Sequence, residues 1–186
     1  YNALSRLQVS KMEEQDRVAE WPTPVPMFPS QVASLVSGVL DSVARGYWLV
    51  DCRYPYEFAG GHIQGAVNIY TEQQVLSTFF PVSELPQEEA RDTAVVFHCE
   101  FSSERGPKLC RALRRMDRAV NVYPTLCFPE IYLLRGGYRE FFQQFQVLCE
   151  PQGYVSMLHE GHRAELRRLR GAGRTRKTLF THTATR

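Results

Sequence analysis

The sequence lacks any uncharged apolar run near the roughly 18 residues that a membrane-spanning helix needs. Five charged side chains within residues 11–17 give the start of the chain too much charge for a secretory signal peptide: Lys11, Glu13, Glu14, Asp16 and Arg17. We therefore expect a soluble protein that makes no membrane contact.

Cysteine pairs with metal-ligand or redox spacing are also missing. The chain has five cysteines and no CxxC pair, which argues against a secreted disulfide framework and for a reducing compartment. The segment from His159 to His162 is not an HExxH motif either. We expect no metal and no cofactor, and a location in the nucleus and cytoplasm.

A strong excess of one charge is absent as well, since the formal net charge is only +2. Nucleic-acid binding is therefore not expected. Basic residues crowd the end of the chain, over residues 163–186. We interpret this stretch as a basic, flexible tail made of a solvated helix and a loose end, and a role in binding a partner stays open.

The composition is that of one globular domain. A chain of 186 residues with 44% hydrophobic content can bury one sizeable core. Residues 1–28 are expected to form an extended segment, with prolines concentrated from residue 20 onward. After it, short apolar runs alternate with helical patterns. The runs predicted to be buried strands are Tyr47–Val50, Ala66–Ile69, Ala94–Phe97 and Ile131–Leu134. We predict a single α/β domain over residues 29–162, with a parallel sheet flanked by helices on both faces.

One motif carries clear chemistry. HCEFSSER at 98–105 places Cys99 after a predicted strand, a five-residue loop next, and Arg105 where a helix begins. Such a loop can turn backbone N–H groups toward a phosphate, which the helix dipole and the arginine fork also favour. The same positive field favours a thiolate, which could attack phosphorus and form a phosphocysteine. We predict a phosphate-binding loop made of Glu100, Phe101, Ser102, Ser103, Glu104 and Arg105.

The donor of the leaving-group proton is not decided by the sequence. Glu100 and Glu104 could act as general acid, or could orient the loop amides or Arg105, and a protein substrate could supply the proton instead. Arg53 and Glu57, four residues apart, are expected to form a structural ion pair.

These motifs resemble the M-phase inducer phosphatases, the dual-specificity enzymes of the cell division cycle family. The similarity extends from about residue 29 to about residue 162 and includes HCEFSSERGP at 98–107, LVDCRYPYEF at 49–58, GGHIQGAVN at 60–68, RAVN at 118–121 and CEPQ at 149–152. It implies a rhodanese-like fold, Cys99 as nucleophile, and Arg105 as the phosphate clamp. The implied substrate is a cyclin-dependent kinase–cyclin complex, which loses phosphate from threonine and tyrosine and is thereby activated, so that the cell cycle proceeds.

Other functions are possible on the same fold. A rhodanese-type sulfurtransferase would use a loop one residue shorter, whereas the five residues between Cys99 and Arg105 leave room for a tetrahedral phosphoryl group. An arsenate reductase remains an alternative because arsenate is a close analogue of phosphate. A non-catalytic rhodanese-like binding module would be expected to lack Cys99 or Arg105.

Two further predictions concern residues outside the loop. Cys52 and Cys99 each end a predicted parallel strand, and neighbouring strands lie about 4.8 Å apart, so Cys52 should lie below the loop and within disulfide range of Cys99 if these two strands are neighbours. The resemblance implies that Cys52 traps an oxidised Cys99 as a disulfide, and a cysteine that only packs in the core is the alternative. It also implies that Arg114, Arg118 and Tyr123 dock the kinase. The four-residue spacing of the two arginines predicts that they point together into solvent, and a solvated basic helix face with no partner is the alternative. Val122 stands where the family usually has aspartate. The protein is expected to be monomeric.

Overall fold

A parallel sheet of five strands forms the centre of the described chain. The computed structural model describes residues 24–39, 46–81 and 92–179, and side chains as far as residue 171. From one edge to the other, the strands are β1 (Val25–Met27), β6 (Ile131–Leu134), β5 (Thr93–His98), β2 (Gly46–Asp51) and β4 (Val67–Asn68). A separate antiparallel pair joins β3 (His62–Ile63) to β7 (Cys149–Glu150).

The α-helices of the described residues lie between and after these strands. They are α1 (Pro29–Val36), α2 (Pro55–Ala59), α3 (Glu72–Phe79), α4 (Arg105–Val120), α5 (Gly137–Gln144) and α6 (Arg163–Leu179). Within the described ranges, no helix combines the length and apolar character needed to span a membrane.

The core has two halves, one on each face of the sheet. On β5, Val95 and Phe97 belong to one buried cluster and Val96 to the other, as the alternation of side chains along a strand requires. The first cluster includes residues of α3 and α4, and the second includes residues of α1 and α5. The predicted α/β architecture with helices on both faces of a parallel sheet is therefore confirmed.

Local sequence explains where the elements begin. Thr71 caps α3, since its Oγ1 accepts the Gln74 N–H at 3.2 Å while Gln74 Oε1 accepts the Thr71 N–H at 3.0 Å. On α4, Leu109, Leu113 and Met116 are buried at the spacing that the sequence indicated. All four predicted strands are present.

Some elements were not predicted. β1 lies inside the segment expected to be extended, and it pairs with β6 alone at the sheet edge, where Pro26 is tolerated. The two-residue strands β3 and β7 are too short for a periodic signal. The basic stretch begins as α6, while residues 1–23 and 180–186 of the predicted terminal segments lie outside the described residues.

Candidate active site

Cys99 is the first residue after β5 and is buried, with 3% exposure. The chain then turns through residues 100–104 and enters α4 at Arg105. The sequence prediction of strand, loop and helix around this cysteine is confirmed. The loop therefore sits directly on the amino-terminal end of a 16-residue helix, whose dipole favours bound anions.

The start of α5 fixes the loop from behind. The Tyr138 N–H donates to the Cys99 carbonyl at 2.9 Å, and the Arg139 N–H donates to the Glu100 carbonyl at 3.1 Å. Because the N–H and C=O of a trans peptide point in opposite directions, the N–H groups of Glu100 and Phe101 point away from α5, as an anion cradle requires.

A glycine makes this contact possible. Gly137 has φ of +66°, and a Cβ on it would lie 2.5 Å from the Cys99 carbonyl oxygen. Sequence reasoning missed the part that α5 plays, although the Gly136–Gly137 pair was the available signal. Glycine is therefore required at position 137 for two reasons: the backbone is left-handed there, and a side chain would collide with the Cys99 carbonyl.

Two loop serines differ in their surroundings. Ser103 is exposed, whereas Ser102 has φ of +54° and a buried side chain. Within the described part of the chain, the Ser102 hydroxyl has no hydrogen-bond partner. It is therefore a spare donor inside the loop, while the neighbouring Phe101 side chain is 47% exposed at the rim.

Arg105 is held by Glu57. Its Nη1 lies 2.5 Å from Glu57 Oε2 and its Nη2 lies 3.0 Å from Oε1. Burial tends to lower the pKa of Arg105, but the hydrogen bonds and charge of Glu57 outweigh it and raise the pKa above the ordinary arginine value. The guanidinium is therefore a permanent cation at the base of the loop.

The expected pairing of Arg53 with Glu57 is wrong. Arg53 instead binds Asp51 with two of its nitrogens, at 2.6 Å for the closest contact, and donates to the Gly61 carbonyl at 2.7 Å. Arg53 is fully buried and turns toward the strand end rather than along α2, because Asp51 is the nearer buried carboxylate. Its guanidinium also stacks 3.8 Å from the centre of the Tyr138 ring.

His98 completes this buried polar group. Burial lowers the pKa of His98 to about 4, although Asp51 opposes the shift. The imidazole, 3.9 Å from Asp51, is therefore neutral near pH 7. It adds no positive charge beside Cys99.

Glu100 and Glu104 occupy different environments. Glu100 is buried, accepts the Tyr154 hydroxyl at 2.5 Å and the Met157 N–H at 3.4 Å, and lies 3.9 Å from Arg105. These contacts favour the orienting role over free proton donation. The Glu104 side chain is exposed at the helix start and makes no capping hydrogen bond.

Cys52 lies beside the active loop. β2 and β5 are neighbours, Asp51 pairs with His98, and the Cys52 N–H donates to the His98 carbonyl at 2.8 Å. Both cysteines are buried free thiols. Burial, followed by the nearby Cys99, raises the pKa of Cys52 well above its ordinary value. The predicted strand adjacency is confirmed, and the disulfide stays a prediction.

The three predicted docking residues do not share one solvent-facing surface. Arg114 donates to the carbonyls of Phe128 and Pro129, both at 2.8 Å, and only 19% of its side chain is exposed. The prediction that Arg114 points into solvent is wrong. Its guanidinium turns back toward the chain that follows α4, because it is the donor for these two carbonyls. Arg118 is exposed, and Tyr123 is 89% exposed.

Comparisons with known proteins agree with this architecture. The rhodanese-like domain family matches residues 35–144. Human M-phase inducer phosphatase 3 is 46% identical over 149 residues, which is 80% of this chain and 32% of that protein. M-phase inducer phosphatase 1-B of Xenopus laevis is 48% identical over 139 residues, which is 75% of this chain and 25% of that protein. The resemblance seen in the motifs is confirmed, and the chain spans about a third of the length of the first of these relatives.

Solved structures add support for the fold alone. A yeast protein tyrosine phosphatase of the rhodanese family has a TM-score of 0.52 and 22% identity, covering 73% of this chain and 96% of its own. The As-Sb reductase from Leishmania major has a TM-score of 0.50 and 22% identity, covering 67% of this chain and 84% of its own.

Proposed function

The chain belongs to the rhodanese-like domain family, and we propose that it is a cysteine-dependent protein phosphatase of the M-phase inducer type. The observation that carries the proposal is the loop itself. Five residues separate Cys99 from Arg105, and α5 binds the loop carbonyls from behind while α4 begins directly after the loop. This arrangement suits a tetrahedral phosphate dianion rather than the smaller sulfur group that a sulfurtransferase carries.

The geometry supports a two-step reaction. The loop N–H groups and Arg105 hold the nonbridging phosphoryl oxygens, and the Cys99 thiolate attacks phosphorus in line with the ester oxygen. The P–O bond breaks as the S–P bond forms, and the leaving oxygen takes a proton. Water then attacks the phosphocysteine, releasing inorganic phosphate and restoring the thiolate.

The substrate we propose is a cyclin-dependent kinase bound to its cyclin, phosphorylated on threonine and tyrosine. Similarity of 45–49% identity to M-phase inducer phosphatases supports this choice. A loop that must accept both residue types can grip little beyond the phosphate, so selectivity has to come from a distant surface. We further propose that the protein is monomeric and works in the nucleus and cytoplasm, where such a kinase would be found.

One assay tests this proposal. Phosphate release is measured from a kinase–cyclin complex phosphorylated on adjacent threonine and tyrosine, in parallel with arsenate reduction and with sulfur transfer from thiosulfate to cyanide. We expect rapid phosphate release and no measurable turnover in the other two assays. Sulfur transfer or arsenate reduction without phosphate release would overturn the proposal.

Kinase docking should depend on Tyr123 and Arg118. Tyrosine and arginine are favoured interface anchors, and truncating one costs about 2 kcal/mol or more, which is roughly thirtyfold in rate at limiting substrate. We expect Tyr123→Ala and Arg118→Ala each to lower kcat/KM on the phosphorylated kinase complex by tens of times. Turnover of a small aryl phosphate should stay nearly unchanged.

A suitable control is Val147→Ala, because Val147 is 72% exposed and lies on the short helical turn before β7. This variant should act normally on both substrates. Arg114→Ala should differ from the docking variants by lowering the melting temperature, because it leaves two carbonyls without their donor. Equal losses on kinase and aryl phosphate for Tyr123→Ala would contradict a docking role.

Oxidation should join Cys52 to Cys99. Hydrogen peroxide converts the Cys99 thiolate to a sulfenic acid, and the Cys52 sulfur then attacks it, with loss of water, to form the disulfide. After mild peroxide treatment, peptide mass mapping should find the linked pair, and dithiothreitol should restore activity. Cys52→Ser should instead lose activity irreversibly, with Cys99 as sulfinic or sulfonic acid. The pairing would be refuted by wild-type protein that shows over-oxidised Cys99 and free Cys52.

A further inference from the structure

Glu57 has no part in the reaction as described above, yet it is a fully buried carboxylate whose two oxygens both have partners. Its side chain is completely buried, and each of its two oxygens accepts a hydrogen bond from Arg105. A buried carboxylate is costly unless it is paired and hydrogen-bonded. Its partner here is the residue that would hold the phosphate.

The carboxylate is itself fixed by the backbone. Glu57 lies in the first turn of α2, and its Oε2 also accepts the Tyr54 N–H at 2.9 Å, closing the amino-terminal end of that helix. The Tyr54 ring lies under the Arg105 guanidinium, 5.1 Å from ring centre to the central carbon. The backbone at the start of α2 therefore holds Glu57 in place, and Glu57 in turn holds the Arg105 guanidinium.

We propose that Glu57 is the positioning residue for the phosphate clamp. An arginine has five N–H donors, and the two directed at Glu57 leave three others for phosphoryl oxygens. Without Glu57, the long Arg105 side chain would have to be ordered by each substrate that binds, at a cost in conformational freedom. This inference rests on the proposed phosphatase function and adds a residue to the same site.

The informative substitution is Glu57→Gln. Glutamine keeps the size of the side chain and an oxygen for the Tyr54 N–H, but it loses the charge and can no longer accept from both arginine nitrogens. We expect kcat/KM for an aryl phosphate to fall roughly tenfold to a hundredfold, because charge-assisted hydrogen bonds to Arg105 are lost. Affinity for tungstate, a tetrahedral oxyanion that binds without reacting, should fall by a similar factor.

A double-mutant cycle separates positioning from general structural support. If Glu57 acts through Arg105, then adding Glu57→Gln to Arg105→Lys should lower tungstate affinity by less than threefold beyond Arg105→Lys alone. If Glu57 only supported the fold, Glu57→Gln would lower tungstate affinity by the same factor in the wild-type protein and in the Arg105→Lys variant. Glu72→Gln is a matched control, since Glu72 pairs with Lys108 and Arg115 on α4 and this change should leave activity intact.

Circular dichroism and melting temperature verify that the variants fold. If Glu57→Gln does not fold, Glu57→Asp provides the same comparison with the charge retained and the reach shortened. The inference would be overturned if the Glu57 variant kept tungstate affinity and turnover within twofold of wild type. It would also be overturned if the substitution lowered tungstate affinity as much in the Arg105→Lys variant as in the wild-type protein. If wild-type protein binds tungstate but hydrolyses no phosphate ester, the proposed function fails instead, and the tungstate cycle still tests Glu57.

Discussion

Replacing Cys99 with serine should abolish phosphate release, with at least about a thousandfold loss of kcat. A serine hydroxyl fills nearly the same space after β5 but does not ionise near neutral pH, so the thiolate nucleophile is lost. The loop amides and Arg105 should stay in place. Binding of a phosphorylated kinase complex should therefore persist.

Two measurements check this result. Steady-state hydrolysis gives the rate, and calorimetry with tungstate or the phosphorylated complex shows that the loop still binds. Cys110→Ser is the matched control, since Cys110 is also a buried thiol and lies on α4. It should cost some stability and leave turnover near wild type. Turnover by Cys99→Ser within tenfold of wild type would exclude this cysteine as the nucleophile.

Replacing Arg105 with lysine should lower kcat/KM by about a hundredfold or more. A lysine ammonium is a point charge, so it cannot bind both Glu57 oxygens in plane and still present paired donors to the phosphoryl group. Because the fork also holds the three equatorial oxygens in the geometry of the transition state, kcat should fall as well as KM rise. Aryl phosphate kinetics measure both effects.

Arg111→Lys is the control for this substitution, because Arg111 is exposed on the same helix. It should behave as wild type. An Arg105→Lys protein with nearly unchanged kinetics would mean that the guanidinium is not the clamp, and would also remove the basis for the role assigned to Glu57.

Local patterns explain why the centre of the site could be predicted. β5, the loop and α4 are consecutive in the chain, so the strand propensity of Ala94–Phe97 and the helical spacing after Pro107 place Cys99 and Arg105 without any long-range contact. Local patterns also placed Cys52 at the end of a second parallel strand. That this strand pairs with β5 is a long-range contact, which local patterns left open.

The contacts that complete the site are long-range, and this is why sequence reasoning missed or misassigned them. Glu57 and Arg105 are 48 residues apart, and the four-residue spacing of Arg53 and Glu57 suggested a local pair instead. Arg114 was placed in solvent from helix periodicity alone. That pattern cannot show that the carbonyls of Phe128 and Pro129 fold back within reach of the guanidinium.

The phosphocysteine intermediate gives the most direct measurement of the proposed chemistry. An aryl phosphate is mixed with excess enzyme, the reaction is quenched in acid within milliseconds, and the protein is analysed by intact mass and then by peptide mapping. One phosphoryl group on Cys99, appearing with the burst of phenol and disappearing at the rate of phosphate release, is the expected result. Full turnover with no phosphorylated protein at any quench time, or with the phosphoryl group on another residue, would contradict catalysis by Cys99.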